Sequence, residues 1–297
     1  MLKYHVLDVF TKSPFTGNPL AVVLDADGLS DRQMQAITRE FNLSETIFVQ
    51  TPATPNHTAK VRIFCPACEL PFAGHPTIGC AILLAELANE GDFECEIILE
   101  EVAGLVPVKV ARAGADITAE FIAPVLPEIA VGAPPSAPEA AAALGLSPED
   151  IGFGTHAPLH WQGGPDFLYI PLASRAALSK AAPSGSWLEM TAKSKTQSVY
   201  VYCPEGDGYA ARMFAPEHGM PEDPATGSAS AILAAQLLAS NALPNGQTQV
   251  ALSQGADMGR PSEIGLTAKV QNGELTEIRI KGAAVRVHHG DITALPL

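Results

Sequence analysis

The chain is poor in the features that would place it outside the cell, in a membrane or on a nucleic acid. Its 297 residues hold five cysteines (Cys65, Cys68, Cys80, Cys95 and Cys203), few and odd in number. That excludes a disulfide framework and predicts reduced thiols in a cytoplasmic setting. No apolar run is long enough to span a bilayer, so no membrane partner is expected. Met1–Phe10 alternates apolar and polar residues instead of building a continuous apolar stretch, which predicts no secretory leader. Basic residues number 18 against 32 acidic, for a net charge of −14, and no Lys/Arg run forms a basic patch. Such a surface repels phosphate backbones, so no nucleic-acid partner is expected. What remains is a globular composition, 47% hydrophobic and 17% charged, able to bury a substantial core.

Periodicity then gives an order of elements. Lys3–Phe10 and Leu20–Leu24 read as a hairpin around a Pro/Gly turn. Ser30 is placed to cap a helix through Phe41, with Met34, Ile37 and Phe41 on one face. Strands follow at Thr46–Thr51 and Ala59–Cys65, then a buried helix over Ile78–Leu87, then strands at Glu94–Leu99, Leu105–Ala111 and Ile117–Phe121. A Pro/Ala-rich stretch over 123–137 reads as a connection. Beyond it come a helix near Pro138–Leu144, strands near Phe167–Ile170, Ser198–Tyr202 and Tyr209–Phe214, and a helix over Ser228–Ser240. Strands at Gln249–Leu252, Glu263–Val270, Glu277–Lys281 and Ala284–His288 complete the chain. Strands dominate, with about one long buried helix per half, an α+β pattern.

Self-comparison shows a repeat. A shift of 150 aligns Arg62–Leu87 with Arg212–Leu237 without a gap, with nine identities in 26 positions, among them Arg-x-Phe-x-Pro at the head of each copy. Each copy is a strand, a Pro/Gly loop and the N-terminus of an apolar helix. Helix N-termini offer unpaired N–H groups and partial positive charge to an anion. If the halves face each other, Gly74, Gly227, Thr77, Thr226 and Ser228 belong to two such ends converging on one carboxylate. Taken alone, either loop reads equally well as plain helix capping.

The segments FTGNPLAVV, NLSETIFV around Glu45, FAGHPTIG, EDPATGSA and QGADMGRPSEI, spread over nearly the whole chain, resemble the phenazine-biosynthesis PhzF-like family. The resemblance implies a diaminopimelate-epimerase-type fold. In it two pseudo-symmetric lobes, each a barrel-like, mostly antiparallel sheet around a central helix, flank the active site. Here that gives lobes at 1–123, with 284–297 returning to the first, and 124–283. It also implies a homodimer with neither metal nor cofactor. Glu45 matches the family's catalytic glutamate, which moves a proton from a carbon beside a conjugated system to another position on the same substrate. Gly74 and His75 match the first binding loop, and Asp223, Gly227 and Ser228 the second. The family's phenazine enzyme acts on trans-2,3-dihydro-3-hydroxyanthranilate.

The residues themselves leave choices open. Glu45, after Ser44 and before Thr46-Ile47-Phe48-Val49, is a base among apolar neighbours or a solvated strand-end acid. His75 is a second acid/base or a brace for its turn. Asp223 positions a partner or complements a helix dipole. Asn18 reaches substrate or serves turn chemistry, and Arg260 clamps a carboxylate or holds a loop. Cys65-Pro66-Ala67-Cys68 lacks the second pair a zinc site needs, and the repeat does not preserve it. The expected activity is a cofactor-independent isomerisation of a small carboxylate-bearing substrate with Glu45, His75 and Asp223 as catalytic groups. Asn18, Ser44, Gly74, Gly227 and Ser228 are the expected binding groups. The alternatives are a two-base racemase or epimerase and a non-catalytic anion binder on the same fold.

Overall fold

The computed structural model describes residues 1–296. They fall into two compact units, Met1–Pro124 joined by the C-terminal residues from Lys281 onward, and Val125–Ile280.

The first unit runs β1 (Leu2–Val9), β2 (Asn18–Val23), α1 (Asp31–Phe41), β3 (Glu45–Gln50), β4 (Ala59–Phe64), β5 (Glu69–Leu70), α2 (Gly74–Ala88), β6 (Phe93–Glu101), β7 (Gly104–Ala113) and β8 (Asp116–Ile122). Pairing is antiparallel for β1–β2, β3–β4, β6–β7 and β7–β8, and parallel for β2–β3 and β4–β6. Helix α2 has no polar face and is buried from Gly74 through Leu83. A helix apolar all round must be enclosed, and α2 touches β1, β2, β3, β6, β7 and β8. Gly79 permits that enclosure, because a Cβ there would stand 2.6 Å from Leu20 and 2.7 Å from Val9. Helix α1 stays outside and amphipathic. Ser30 and Gln33 form a reciprocal capping box at its start.

The second unit runs β9 (Glu128–Ile129), α3 (Ala137–Leu144), β10 (Leu159–Gln162), β11 (Asp166–Pro171), α4 (Arg175–Lys180), α5 (Trp187–Ser194), β12 (Val199–Glu205), β13 (Gly208–Ala215), β14 (Met220–Asp223), α6 (Gly227–Ala239), β15 (Gly246–Gln254) and β16 (Ser262–Gln271). The pairing scheme matches that of the first unit: β11–β12 and β13–β15 are parallel, while β12–β13 and β15–β16 are antiparallel. Apolar α6 packs on β10, β11 and β16. Helices α3, α4 and α5 bury Leu144, Leu178, Trp187 and Met190 against Phe214 and the strands beside it.

The last strand, β17 (Glu274–Ile292), begins in the second unit and ends in the first. It pairs antiparallel with β1 from Leu2↔Ile292 to Val9↔Ala284, and also pairs with β8. In the first unit β17, β1, β2, β3, β4, β6, β7 and β8 thus close into a barrel around α2.

Three expectations from sequence are corrected. Residues 277–288 form one strand, not two, since Gly282 is a contact and no turn: a Cβ there would lie 2.4 Å from the Phe10 ring. The stretch over 123–137 is not only a connection, for β9 pairs Ile129 with Trp161. The buried helix of the first unit begins at Gly74, one turn before Ile78, so the supposed loop Gly74-His75-Pro76-Thr77 is helical. Pro76 is tolerated there because first-turn N–H groups have no intrahelical acceptor.

Candidate active site

Glu45 opens β3, with Thr46 through Val49 buried behind it, and its backbone stands beside Leu20 of β2. Asn18, at the head of β2, is fully buried. Ser44 precedes β3 and is half-buried. His75 is the second residue of α2. The helix start and the strand start bring His75 Nδ1 to 3.0 Å from Glu45 Oε2, with side chains only 4% and 13% exposed. The approach lacks the alignment of a hydrogen bond, leaving Glu45 Oε2 without a hydrogen-bond partner. The far ring nitrogen, His75 Nε2, is also buried without one. Buried polar atoms are nearly always satisfied, so two such atoms on adjacent acid/base side chains mark a candidate site.

Helix α2 has no side-chain cap. Ala73 is its N-cap, and Thr77, far from capping it, lies within the first turn. The Thr77 hydroxyl lies 2.8 Å from the Ala73 carbonyl and 2.7 Å from Glu101 Oε1. Glu101 ends β6, is buried, and leaves its second oxygen without a partner. Burial pushes its carboxyl up to about 8, against the pull of the Thr77 hydroxyl.

In the second unit Asp223 ends β14 and is buried. Thr226 is the N-cap residue of α6, yet its hydroxyl donates to Asp223 Oδ2 at 2.6 Å instead of capping the helix. Gln254, the last residue of β15, holds this loop. Its carbonyl accepts from Thr226 N at 3.1 Å, and its amide donates to Asp223 O at 2.8 Å and Thr226 Oγ1 at 3.0 Å. Gly255 follows with a φ of +75°, where a Cβ would meet Pro224 O at 2.6 Å and Arg260 O at 2.4 Å. Arg260 returns its own N–H to Gly255 O at 3.0 Å. Gly227 and Ser228 are the first two residues of α6.

The hydrogen bonds revise how the two copies correspond. Arg62 lies over the Phe64 ring and makes a bidentate pair with Glu69, seven residues on; Glu69 holds its guanidinium above the ordinary value. Arg212 lies over Phe214 and makes the same pair with Glu222, ten residues on. The second segment therefore carries three extra residues between the arginine and its glutamate, and beyond them the matching shift is 153, not 150. Ala73 then answers to Thr226, Gly74 to Gly227, His75 to Ser228 and Thr77 to Ser230. The last pair makes the same bond, each hydroxyl donating to the carbonyl four residues back. Strand pairing extends the match: Ala59 and Lys60 face Leu99 and Glu100 as Tyr209 and Ala210 face Leu252 and Ser253, so Glu101 answers to Gln254. On the other side Thr46 and Val199 face Phe64 and Phe214, so Glu45 answers to Ser198. The gap-free alignment misplaced these pairs because Ala/Leu-rich helices match tolerably in more than one register.

Sequence reasoning missed Glu101 and Gln254. Their signal was faint: each stands at a strand end where a polar residue is ordinary, and only the 153-residue correspondence links them. The Cys65 and Cys68 thiols lie 3.7 Å apart in the turn after β4. Among the described residues no helix is long and apolar enough to cross a membrane.

An eight-stranded barrel closed around an apolar helix defines the class, an α+β fold of two units with matching strand pairing. Residues 7–290 match the family described as phenazine biosynthesis-like protein, and the chain belongs to that family. It is 44% identical to an uncharacterised isomerase of Mesorhizobium japonicum, over 97% of this chain and 98% of that protein. It is 35% identical to the trans-2,3-dihydro-3-hydroxyanthranilate isomerase of Pseudomonas aeruginosa, covering 95% and 96% of the two chains. Among solved structures, a predicted epimerase from Pseudomonas aeruginosa matches at 33% identity with a TM-score of 0.82, over 99% of this chain and 100% of that one. A probable proline racemase from Agrobacterium radiobacter shares the fold at 13% identity and a TM-score of 0.66, over 99% and 93%. The chain is an isomerase with a diaminopimelate-epimerase-like fold.

Proposed function

We propose that the chain moves a proton within a small carboxylate-bearing substrate, without a cofactor, by general acid/base catalysis at Glu45. The observation that carries this reading is the buried approach of Glu45 to His75, with Glu45 Oε2 and His75 Nε2 both lacking partners. A carboxylate in apolar surroundings takes a proton from a carbon acidified by an adjacent conjugated system, then returns it to another carbon of the same molecule. His75 stabilises the charge on Glu45 through Nδ1 and offers Nε2 to the substrate. The uncapped first turn of α2 supplies N–H groups for its carboxylate.

In this proposal Asp223 is a further catalytic group and Gly227 and Ser228 are binding groups, as are Asn18, Ser44 and Gly74. The two units descend from one ancestral unit, a reading supported by their matching arginine clamps and strand pairings. Their site residues have diverged, His75 against Ser228 and Glu45 against Ser198, which gives the asymmetry that one-direction transfer uses. The protein works in the cytoplasm as a homodimer, and exposed Ile122, Val125, Leu126, Ile129 and Val131 form an apolar stretch that such an interface would cover.

A two-base racemase on this fold would need a matched acid/base pair at the two helix starts. The positions hold His75 and Ser228, and Cys80 lies deeper in α2, where burial drives its thiol far up and keeps it protonated. That speaks against thiol-based racemisation.

The test is exchange of substrate C–H in deuterated water, with trans-2,3-dihydro-3-hydroxyanthranilate as probe. Glu45→Gln should abolish exchange while ligand binding survives. Exchange at the wild-type rate in the variant removes Glu45 from the mechanism, and binding without exchange in both proteins favours a binder.

A further inference from the structure

Thr77 has one hydroxyl proton and two oxygen neighbours, the Ala73 carbonyl at 2.8 Å and Glu101 Oε1 at 2.7 Å. A carbonyl only accepts, so both contacts are hydrogen bonds only if Glu101 carries a proton and donates it to Thr77 Oγ1. The chain then runs one way, from Glu101 through Thr77 to Ala73. The second unit fills the position of Glu101 with Gln254, an amide that donates and cannot ionise, and uses it to hold the start of α6. Gln254 thus braces its helix with a neutral donor from the strand end that Glu101 occupies in the first unit.

We propose that Glu101 is a positioning residue: as the neutral acid it donates to Thr77, fixes the first turn of α2, and so holds His75 against Glu45. The catalytic half of this statement rests on the function proposed above; the proton on Glu101 does not.

The surroundings favour the neutral form. Glu101 Oε2 is buried without a partner, and an ionised carboxylate would leave it bare. Cys80, on α2, is the titratable group its charge perturbs. Lys60 of β4 and Lys109 of β7 are exposed to solvent, Arg112 of β7 is paired with Glu86 of α2, and Arg62 of β4 is paired with Glu69 of β5. His75, two residues before Thr77, is engaged with Glu45. Among the described residues no cation is turned to it, and Glu101 ionises only near pH 8. Thr77 must then turn its single proton to the carboxylate, leaving Ala73 O with the long 3.3 Å bond from Thr77 N.

The experiment follows the pH profile of C–H exchange on trans-2,3-dihydro-3-hydroxyanthranilate and, in parallel, the NMR signals of the His75 ring as reporters of the Glu101 contact. In the wild type both should change as pH rises through about 8. Glu101→Gln should restore the neutral donor, remove that transition from both readouts and keep activity above pH 8. Glu101→Ala should lower kcat by about 10- to 100-fold while the wild-type acid is neutral, below about pH 8, with little change in KM, the effect of a misplaced catalytic group, and the gap should narrow at higher pH. An unchanged transition in Glu101→Gln, in either readout, overturns the proposal. Should Glu45→Gln remain active, the proposed function falls, but the His75 signals still decide the role of Glu101.

Discussion

At the scale of single residues, chemistry here is set by which buried atoms lack partners. Glu45 and His75 each keep one such atom and lie within 3.0 Å of each other, an arrangement that costs stability unless a ligand completes it. Glu101 is a different case, because its burial has a consequence for stability as well as for positioning. Its folded-state value, about 8, lies above the ~4.3 of an unfolded chain. Between those values the folded state binds the extra proton, so stability is fully present below pH 4.3 or so and falls as pH rises to about 8. The loss amounts to a few kcal/mol, roughly 1.4 for each pKa unit. Glu101→Gln should erase it: urea unfolding of the variant should match or exceed the wild type at pH 7 and exceed it further at pH 9. A variant that loses stability at both pH values would show that the carboxyl is bound as an anion.

At the scale of elements, strands and helix faces were largely legible and the boundaries of α2 were not. Ser30, with Met34, Ile37 and Phe41, announced α1 because capping and periodicity are local. Gly74-His75-Pro76 suggested a loop, since Gly and Pro usually interrupt helices, yet a first turn tolerates both. Helices α4 and α5 escaped notice, being short, of six and eight residues, and stabilised by packing on Phe214 and its neighbours and not by their own pattern. Gly282 looked like punctuation and is a seat for Phe10. The candidate residues Glu45 and His75 were legible only through family resemblance, since their proximity is set by barrel closure around α2. Gly79 tests that closure. Gly79→Ala drives a methyl into Leu20 and Val9 and should cost about 1–3 kcal/mol in chemical denaturation, as overpacked cores do. Ala at this position raises helix propensity, so an unchanged or higher stability would mean that α2 is loosely held.

At the scale of the whole molecule, the chain is not cut where its units are. One unit is assembled from both ends of the sequence, through β17. A fragment of residues 1–124 would lack β17 and leave the edge of β1 that faces it bare from Leu2 to Val9. It should aggregate or remain unfolded by circular dichroism. Fusing residues 281–296 ahead of residue 1 through a flexible linker should restore a soluble, cooperatively melting unit. If the plain fragment folds as well as the fusion, β17 is dispensable to the first barrel.

The crossing strand also bears on heredity. A protein whose halves were separate beads could trade one for a relative's by a single recombination, and each half could then wander in sequence at its own pace. Here a break near residue 124 severs one connection and leaves β17 spanning both units. Any exchange of the first half must also import a matching tail from the far end of the gene. The halves are therefore inherited together.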